Sequence, residues 1–453
     1  MVFSSLTFLC FFLPLTLGVY YLLPKRARNG VLLAASLVFY AWGEPKYVLL
    51  MVLSIGANYV FGRLIGKEGS RSRFWLAVSV IFDLGMLCLF KYTDLLIATF
   101  NDLTGGRLEP LGLALPIGIS FYTFQAMSYT VDVWRGKVAP QRNLLDFGAY
   151  IAMFPQLIAG PIVRYSEVER QLKERSVTAE DFAAGLCRFA AGLGKKVLLA
   201  NQLGKLWQTA SSGTPSALLA WLGALAFSLQ IYFDFSGYSD MAIGLGALFG
   251  FRFPENFRHP YEADRVTEFW RRWHITLSTW FREYLYIPLG GNRRGLKRQL
   301  LNLGIVWALT GLWHGAGWNF LAWGLAWFVL LALEKLFLLK LMKKLPGFLR
   351  HTLTLTAVLL CWVLFACEPS ALGPYLGAMF GSNGAAGGMD LFWLLHYGIL
   401  LLVSAVGCTS LVSRLSRRLK AFWPKAVGSL AVLAVSLAFL IGDSYNPFLY
   451  FRF

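Results

Sequence analysis

The sequence predicts an all-α integral membrane protein that crosses the bilayer many times. Its 453 residues are 57% hydrophobic and only 15% charged, whereas an average soluble domain is about 25% charged. Long apolar runs recur along nearly the whole chain, and the mean hydropathy is +0.56. A soluble fold could not bury so many runs without exposing large apolar patches. We therefore expect a polytopic helical bundle.

About twelve segments approach the 20 apolar residues that a helix needs to cross a bilayer. The second of these segments is short and could lie partly in the membrane interface. The segments are 5–23, 30–42, 46–64, 74–91, 111–133, 182–206, 217–234, 299–316, 318–340, 350–367, 391–412 and 426–443. We predict about 11–12 transmembrane helices from them.

The net charge of +18 is concentrated in short loops between the apolar segments. If the N-terminus lies outside, all basic loops fall on the cytoplasmic side, as the positive-inside rule requires. The basic loops are 24–29, 63–73, 135–142, 293–299, 339–351 and 413–425, and the charge-poor outer loops are 92–110, 207–216 and 368–390. The first apolar run precedes Lys25 and Arg26, which is the wrong order for a cleavable signal peptide. No basic region is left over for a nucleic acid, so we expect no such partner.

Several common kinds of site lack their sequence signatures. The six cysteines are scattered through apolar segments without a C-x-x-C pair, so neither a disulfide framework nor a zinc site is indicated. The sequence has no G-x-G-x-x-G, Walker or G-x-S-x-G motif. These absences exclude the usual dehydrogenase, nucleotidase and serine-hydrolase signatures. We predict no metal site and no tightly bound cofactor.

Three regions do not fit simple transmembrane helices, namely 143–181, 235–262 and 263–292. The first breaks at FPQLIAGPIVRY, the second contains Gly, Ser and Asp in an apolar stretch, and the third mixes aromatic and charged residues. Polar or irregular backbone at membrane depth is tolerated only where it lines a cavity or is buried in protein. We predict re-entrant or interfacial helices around a site.

His314 lies in ALTGLWHGAGWNFLAWG, and no charged residue occurs between Arg298 and Glu334. An ionisable side chain in such a stretch is costly and indicates function by default. Burial favours the neutral imidazole, which suits a general base that faces a hydroxyl. The neighbouring glycines, including Gly311, permit close approach of another helix or of a substrate. A structural histidine that hydrogen-bonds a neighbouring helix remains an equal alternative from this segment alone.

His274 lies in an aromatic and basic segment, FWRRWHITLSTWFREYLYIPLGGNRRG. The helical spacing of its aromatic residues predicts an amphipathic helix at the cytoplasmic interface. Its guanidinium groups could instead bind the phosphates of a coenzyme at the inner face. The aromatic residues are Trp270, Trp273, Phe281 and Tyr284, and the basic ones are Arg271, Arg272, Arg282, Arg293, Arg294, Lys297 and Arg298. For His259, His351 and His396 we predict no function.

Asp234 and Asp240 lie in YFDFSGYSDMAIG, an otherwise apolar stretch. Carboxylates in such surroundings need partners, and the nearby arginines are the natural ones. We predict structural ion pairs here in preference to direct catalysis.

These motifs together resemble one family, the membrane-bound O-acyltransferases (MBOAT), and within it the bacterial branch that O-acetylates alginate and other polysaccharides. The resemblance rests mainly on 269–295 and on GLWHGAGWNFLAWG at 311–324. Supporting segments are 115–136, 153–165 and 234–257, so it extends over essentially the whole chain. It implies an MBOAT-type bundle with re-entrant and interfacial helices around a central funnel. It also implies a single domain over 1–453, with the catalytic core at about 110–340 between N-terminal helices 1–109 and C-terminal helices 341–453.

The resemblance implies acyl transfer from cytoplasmic acetyl-CoA, through the membrane, to a hydroxyl outside. The family's catalytic histidine corresponds to His314 and its partner histidine to His274. We predict His314 as the general base, while His274 and its segment position the donor or the tetrahedral intermediate. The predicted acetyl-CoA-binding residues are Trp270, Arg271, Arg272, Trp273, Thr276, Arg282, Asn292 and Arg293.

The resemblance also implies a location and partners. We expect the bacterial cytoplasmic (inner) membrane, contact with membrane lipid, and an extracytoplasmic SGNH-type acetyltransferase or the polysaccharide itself as acceptor. The intact run 288–293, PLGGNR, favours acetylation over the D-alanyl transfer to teichoic acid of a sister branch. A transporter and a scaffold in a synthase complex are the non-enzyme alternatives; a transporter would be expected to have internal repeats, and none is evident.

Overall fold

Helices make up the regular structure of the chain. The computed structural model describes residues 1–67, 71–418, 422–442 and 448–449, and none of these lies in a β-strand. The first helices are α1 (Leu13–Leu22), α2 (Arg28–Gly43), α3 (Val48–Ile65), α4 (Ser72–Lys91), α5 (Thr93–Thr104), α6 (Ile119–Trp134), α7 (Leu144–Ala152), α8 (Phe154–Leu157), α9 (Tyr165–Lys173), α10 (Ala179–Gly194) and α11 (Asn201–Ser211).

The remaining helices begin with the longest one. They are α12 (Ala217–Leu248), α13 (Val266–Arg272), α14 (Ile275–Phe281), α15 (Gly295–His314), α16 (Trp318–Leu333), α17 (Leu339–Met342), α18 (Gly347–Ala366), α19 (Pro369–Met379), α20 (Asp390–Gly407), α21 (Ser410–Arg418) and α22 (Phe422–Gly442). Short 3₁₀ turns lie at Lys25–Ala27 and Pro260–Glu262. π-helical turns lie at Phe8–Phe12, Lys195–Ala200, Arg282–Tyr286 and Glu334–Leu338.

Six helices of the described chain are long and apolar enough to cross a membrane: α3, α4, α12, α18, α20 and, from Trp423 onward, α22. Other predicted spans coincide with helices joined end to end. The predicted span 182–206, for example, corresponds to α10, the turn Lys195–Ala200 and α11. The predicted all-α polytopic class is therefore confirmed.

The chain divides into two compact units. The first comprises Met1–Phe189 and Ser239–Pro254, and the second comprises Ala190–Tyr238 and Glu255–Phe453. In the first, Phe3, Phe8, Phe39 and Phe154 form a buried aromatic core. The second has a core rich in tryptophan, described with the site below. The predicted single domain with a core at about 110–340 stays a prediction.

The predicted irregular backbone near 153–165 is confirmed. α7, α8 and α9 are short helices separated by non-helical residues, and every residue from 147 to 163 is buried. The Tyr150 hydroxyl donates to the carbonyl of Val163, 3.1 Å away. Hydrogen bonds within the protein thus satisfy backbone polar groups that lipid could not satisfy.

One detail of the prediction is wrong, and two predicted loops contain helices. The apolar stretch from 235 onward is not irregular at first, because α12 continues without a break to Leu248. Gly244 does not end this helix. A Cβ at Gly244 would lie 2.6 Å from the Gly185 carbonyl oxygen, so the glycine allows close packing against that backbone. The predicted outer loops 92–110 and 368–390 contain the helices α5 and α19.

α15 and α16 cross at backbone contact. A Cβ on Gly324 would lie 2.3 Å from the carbonyl oxygen of Trp307, and one on Gly311 would lie 2.4 Å from that of Phe320. The predicted close approach at Gly311 is thus confirmed, with a helix as its neighbour. A carbonyl oxygen of a helix cannot move aside as a flexible side chain can, so this contact fixes the helix pair that carries His314.

We expect Gly324→Val to separate α15 from α16 and to destabilise the protein by at least about 1–3 kcal/mol, the usual range for overpacking. Thermal unfolding followed by size-exclusion chromatography of the detergent-solubilised protein measures the effect. Gly398→Ala in α20 is the control, because a Cβ there has no neighbour within 4 Å. Equal stability of the two variants would contradict the proposed crossing.

Candidate active site

His314 is the last residue of α15, and the non-helical residues Gly315–Gly317 connect it to α16. The sequence placed it inside a span, whereas the structure places it at the end of a helix that is not among the six candidate spans. His314 is 6% exposed to solvent. Its ring lies 4.8 Å from the ring of Trp323, 5.0 Å from that of Trp313 and 5.6 Å from that of Phe365. The predicted buried imidazole is present, in an aromatic enclosure.

His274 lies where the chain turns between α13 and α14. Its φ of 42° is in the left-handed region. Among the other non-glycine residues of the described chain, only His259 also has a positive φ. Such a conformation costs on the order of 1–3 kcal/mol and persists only when neighbouring contacts enforce it. Here Ile275 donates its N–H to the Asn256 carbonyl, and Arg258 donates its N–H to the Arg272 carbonyl. In place of one predicted amphipathic helix, the segment forms two short helices that meet at His274.

Asn256 fixes the tautomer of His274. Its side-chain oxygen accepts from the backbone N–H of Thr276 at 3.3 Å and from the Thr276 hydroxyl at 2.9 Å. The backbone N–H can only donate, so this end of the amide is the oxygen. His274 Nδ1 lies 3.0 Å from the same oxygen and must carry the proton. Nε2 therefore has a lone pair, and this atom is buried without a hydrogen-bond partner among the described residues.

The surroundings of His274 keep its ring neutral. The residue is 1% exposed, and its ring contacts Phe235 at 4.6 Å and Trp313 at 6.1 Å. Burial lowers the pKa of His274 well below the ordinary histidine value, because the charged ring would lose its hydration. Trp313 contacts both His274 and His314, so the two predicted catalytic residues share one aromatic neighbour.

A buried carboxylate connects the segments of the two histidines. Glu334 is 1% exposed and accepts from the N–H groups of Val266 at 2.7 Å and Thr267 at 3.2 Å. These are first-turn groups of α13, which have no partner within their own helix. Glu334 directly follows α16, the helix that begins after the His314 turn. The hydrogen bonds therefore tie α13 to the helix pair of His314.

The predicted acetyl-CoA-binding residues fall into two groups. Trp270 and Trp273 are buried, with Trp270 4.6 Å from Trp307 and Trp273 4.8 Å from Trp362. Thr276 is also buried, against Asn256. Arg272 pairs with Glu268 and with Glu262, while the exposed members are Arg271, Arg282, Asn292 and Arg293. The structure does not gather them all into one clamp, and their role in donor binding stays a prediction.

Asp234 and Asp240 form the predicted ion pairs, with partners other than the nearby arginines. Lys196 Nζ lies 2.6 Å from an Asp234 oxygen, with both side chains buried. Arg188 lies 2.9 Å from Asp240. The sequence analysis missed Lys196, Asn256 and Glu334. A lysine within a predicted span was a usable signal for the first, but the contacts of the other two arise only from folding.

The described residues contain no group of three or more histidine, cysteine, aspartate or glutamate side chains that could hold a metal ion. The site is therefore described by two histidines, their aromatic neighbours and their hydrogen-bond partners.

A family model described as MBOAT, the membrane-bound O-acyltransferase family, matches residues 58–376, which include both histidines. The chain belongs to the membrane-bound O-acyltransferase family. As a family member it is an acyltransferase, as the sequence predicted, and the transporter and scaffold alternatives can be set aside. Membership also agrees with a multi-pass membrane protein.

Curated relatives from three organisms are similar to this membrane-bound O-acyltransferase. The probable alginate O-acetylase of Azotobacter vinelandii is 47% identical over 81% of this chain and 75% of its own length. The peptidoglycan O-acetyltransferase of Helicobacter pylori is 33% identical over 100% of this chain and 98% of its own. The teichoic acid D-alanyltransferase of Bacillus subtilis is 27% identical over 61% of this chain and 72% of its own.

The buried Asp234–Lys196 pair gives a test of structural against catalytic roles. We expect Asp234→Asn to reduce the yield of folded protein. Lys196 would remain buried without a counter-charge, which lowers the free energy of unfolding by about 3–5 kcal/mol. Fluorescence-detected size-exclusion chromatography measures the yield. Asp181→Asn is the control, since its contact with Arg252 is long, at 3.7 Å, and exposed. Normal folding with complete loss of acyl transfer would contradict the structural assignment.

We expect Asn256→Ala to lower kcat/KM for acyl transfer about tenfold, mainly through a higher KM for the substrate that His274 positions, because His274 would lose the hydrogen bond that fixes its tautomer. Asn256→Asp keeps an acceptor and should restore much of the rate. Its carboxylate raises the pKa of the adjacent imidazole, so the acidic limb of the pH–rate profile should move to higher pH.

Asn201→Ala removes another buried amide of the same unit and serves as the control. A merely structural Asn256 would predict equal rate losses in the Asn256→Ala and Asn256→Asp variants, with no movement of the pH profile.

Proposed function

We propose that this enzyme moves an acetyl group from acetyl-CoA at the cytoplasmic face of the bacterial inner membrane to a polysaccharide outside the cell membrane. Two of the relatives are named for acetylating a glycan, alginate in one case and peptidoglycan in the other. The single structural observation that carries the proposed mechanism is the buried lone pair of His274 Nε2, beside the tryptophan that also contacts His314. A buried hydrogen-bond acceptor of this kind suits a substrate N–H or O–H group.

In the proposed reaction, a hydroxyl oxygen of the acceptor attacks the thioester carbonyl carbon of acetyl-CoA. A C–O bond forms and the C–S bond breaks. The hydroxyl proton passes to His314, the general base, and then to the departing CoA thiolate. Atoms and electrons balance without a further reactant.

The position of His314 suits a base that becomes charged for part of the cycle. The last carbonyl groups of α15 carry partial negative charge, which stabilises a cation at a helix C-terminus by roughly 0.3–1 kcal/mol or more when partly buried. A proton that His314 takes up during the reaction would therefore be stabilised at this position.

The tautomer of His274 narrows the role that we propose for it. A lone pair at Nε2 can accept from the acceptor hydroxyl or from an amide N–H in the pantetheine arm of CoA. It cannot donate to the oxyanion of a tetrahedral intermediate unless the ring first takes up a proton. We therefore assign His274 to holding a substrate group in place, with Trp270, Trp273 and Thr276 positioning its segment.

The exposed basic residues suit the polar end of the donor. Arg271, Arg282 and Arg293 are exposed near the segment of His274, and guanidinium groups bind phosphate oxygens in a bidentate manner. The positive-inside rule puts the loop 293–299 in the cytoplasm, where acetyl-CoA is found. The same rule favours an N-terminus on the outer side.

For the acceptor, we propose that the acetyl group passes first to an extracytoplasmic SGNH-type acetyltransferase, which completes the transfer to the glycan. Direct transfer to the polysaccharide is the variant of this proposal. D-alanyl transfer is less favoured, because the D-alanyltransferase relative is less similar and matches a smaller part of the chain. Supplying either acetyl-CoA or a D-alanyl thioester to the purified enzyme distinguishes the two donors.

We expect His314→Ala to abolish acetyl transfer from radiolabelled acetyl-CoA in proteoliposomes, a loss of 10²–10⁴-fold for removal of a general base. His274→Ala should mainly raise the KM for one substrate if it holds that substrate. Protein amounts in the membrane should match those of the unaltered enzyme.

His396→Ala is the matched control, because this histidine is exposed and stacks only on neighbouring aromatic residues of its own helix. Retained acetyl transfer by the His314→Ala variant would overturn the proposed base. Normal binding of both substrates by His274→Ala would overturn the holding role.

A further inference from the structure

The first unit contains a basic pocket that the proposed reaction does not use. Its volume is about 400 Å³, and its lining includes four cationic side chains and one acidic one. The cationic residues are Lys25, Arg28, Lys173 and Arg175, and the acidic residue is Glu174. Apart from a long contact of 3.6 Å between Lys173 and Glu169, no ion pair with these four cations is found among the described residues.

Aromatic rings hold both arginines in place. The Arg28 guanidinium lies 4.9 Å from the ring centre of Tyr20, and that of Arg175 lies 4.6 Å from the ring centre of Phe251. Arg175 Nε also donates to the Tyr20 hydroxyl at 2.8 Å and to the Phe249 carbonyl at 3.0 Å. The guanidinium positions are therefore fixed without any carboxylate to neutralise them.

Each arginine keeps one buried donor without a partner. Arg28 Nε and Arg175 Nη2 are inaccessible to solvent and have no hydrogen-bond acceptor among the described residues. A ligand with several anionic oxygens in the pocket would neutralise both guanidinium groups, and phosphate is the group that guanidinium forks bind best.

We propose that this pocket binds the phosphate of an anionic phospholipid headgroup. Lys25 and Arg28 closely follow α1, the first apolar helix, and the positive-inside rule puts them at the cytoplasmic surface. Basic pockets between helices at this level bind anionic headgroups. The end of α1 also offers an apolar surface for the acyl chains, since Leu22 is 86% exposed and Leu23 is 41% exposed.

A bound headgroup would join parts of the unit that are distant in sequence. Lys25 and Arg28 lie at the start of α2, whereas Lys173 and Arg175 lie at the end of α9 and just after it. Without an anion these four cations repel one another. The lipid would thus stabilise the first unit, so the inference concerns its stability and not the acetyl-transfer step.

The test uses the full-length protein in vesicles of phosphatidylcholine, with and without phosphatidylglycerol. Phosphatidylglycerol should raise the unfolding temperature of the unaltered protein, and native mass spectrometry should find it retained. Lys25→Gln with Arg28→Gln should weaken this retention about fivefold per charge removed, since one basic residue near an anionic surface contributes about 1 kcal/mol. Lys343→Gln with Lys344→Gln is the control, because it removes equal charge from exposed residues of another predicted cytoplasmic loop.

Two outcomes would overturn the proposal. Equal loss of phosphatidylglycerol retention in both double variants would mean that general surface electrostatics, and not this pocket, holds the lipid. Stabilisation of the unaltered protein by 3′,5′-ADP or inorganic phosphate, without an effect of phosphatidylglycerol, would assign the pocket to a soluble phosphate or to the donor. The comparison of phosphatidylglycerol with soluble phosphates uses the unaltered protein, so it decides the question even if the Lys25→Gln/Arg28→Gln variant does not fold.

Discussion

Polar groups in an apolar interior must find their partners within the protein, and the geometry of the candidate site depends on this constraint. The first N–H groups of α13 would be unpaired in a buried helix, and Glu334 satisfies them from the end of α16. The side chain of Asn256 accepts from the first turn of α14 in the same way. Since α16 begins directly after the turn that follows His314, the Glu334 contact ties the segments of the two histidines together, while the Asn256 contact fixes His274 within its own segment.

The same constraint governs the charges elsewhere in the apolar helices. Asp234 is paired with Lys196 in the second unit, and in the first unit the fully buried Asp83 accepts from the Asn58 amide at 2.8 Å. A buried pair adds little net stability, but removal of one partner is strongly destabilising because the other remains desolvated. These pairs therefore restrict how the helices can shift, and loss of activity on their mutation would have to be separated from loss of folding.

Sequence alone could predict the features that follow from local composition. The helical class, the buried irregular backbone near 153–165 and the two candidate histidines all have local signals, such as hydropathy, proline with glycine, and an ionisable residue in an apolar run. The turn at His274 had no local signal. Hydrogen bonds that join its segment to Asn256 and Arg258, which are distant in sequence, enforce the turn against the local helical pattern. The continuation of α12 was missed for a related reason, since glycines that usually end a helix serve here in packing against a neighbouring backbone.

The two histidines differ in their ability to carry charge, and this difference argues for their division of roles. His274 has a neutral amide oxygen at Nδ1 and lies among aromatic rings, and no carboxylate of the described residues is hydrogen-bonded to its ring. His314 stands at the C-terminus of a twenty-residue helix, where the partial charge of the carbonyl groups favours a cation. In the proposed reaction, a proton removed from the acceptor hydroxyl is held by one of the two histidines before it reaches the leaving thiolate. The electrostatics favour His314 for that step and leave His274 to hold a substrate group through an uncharged hydrogen bond.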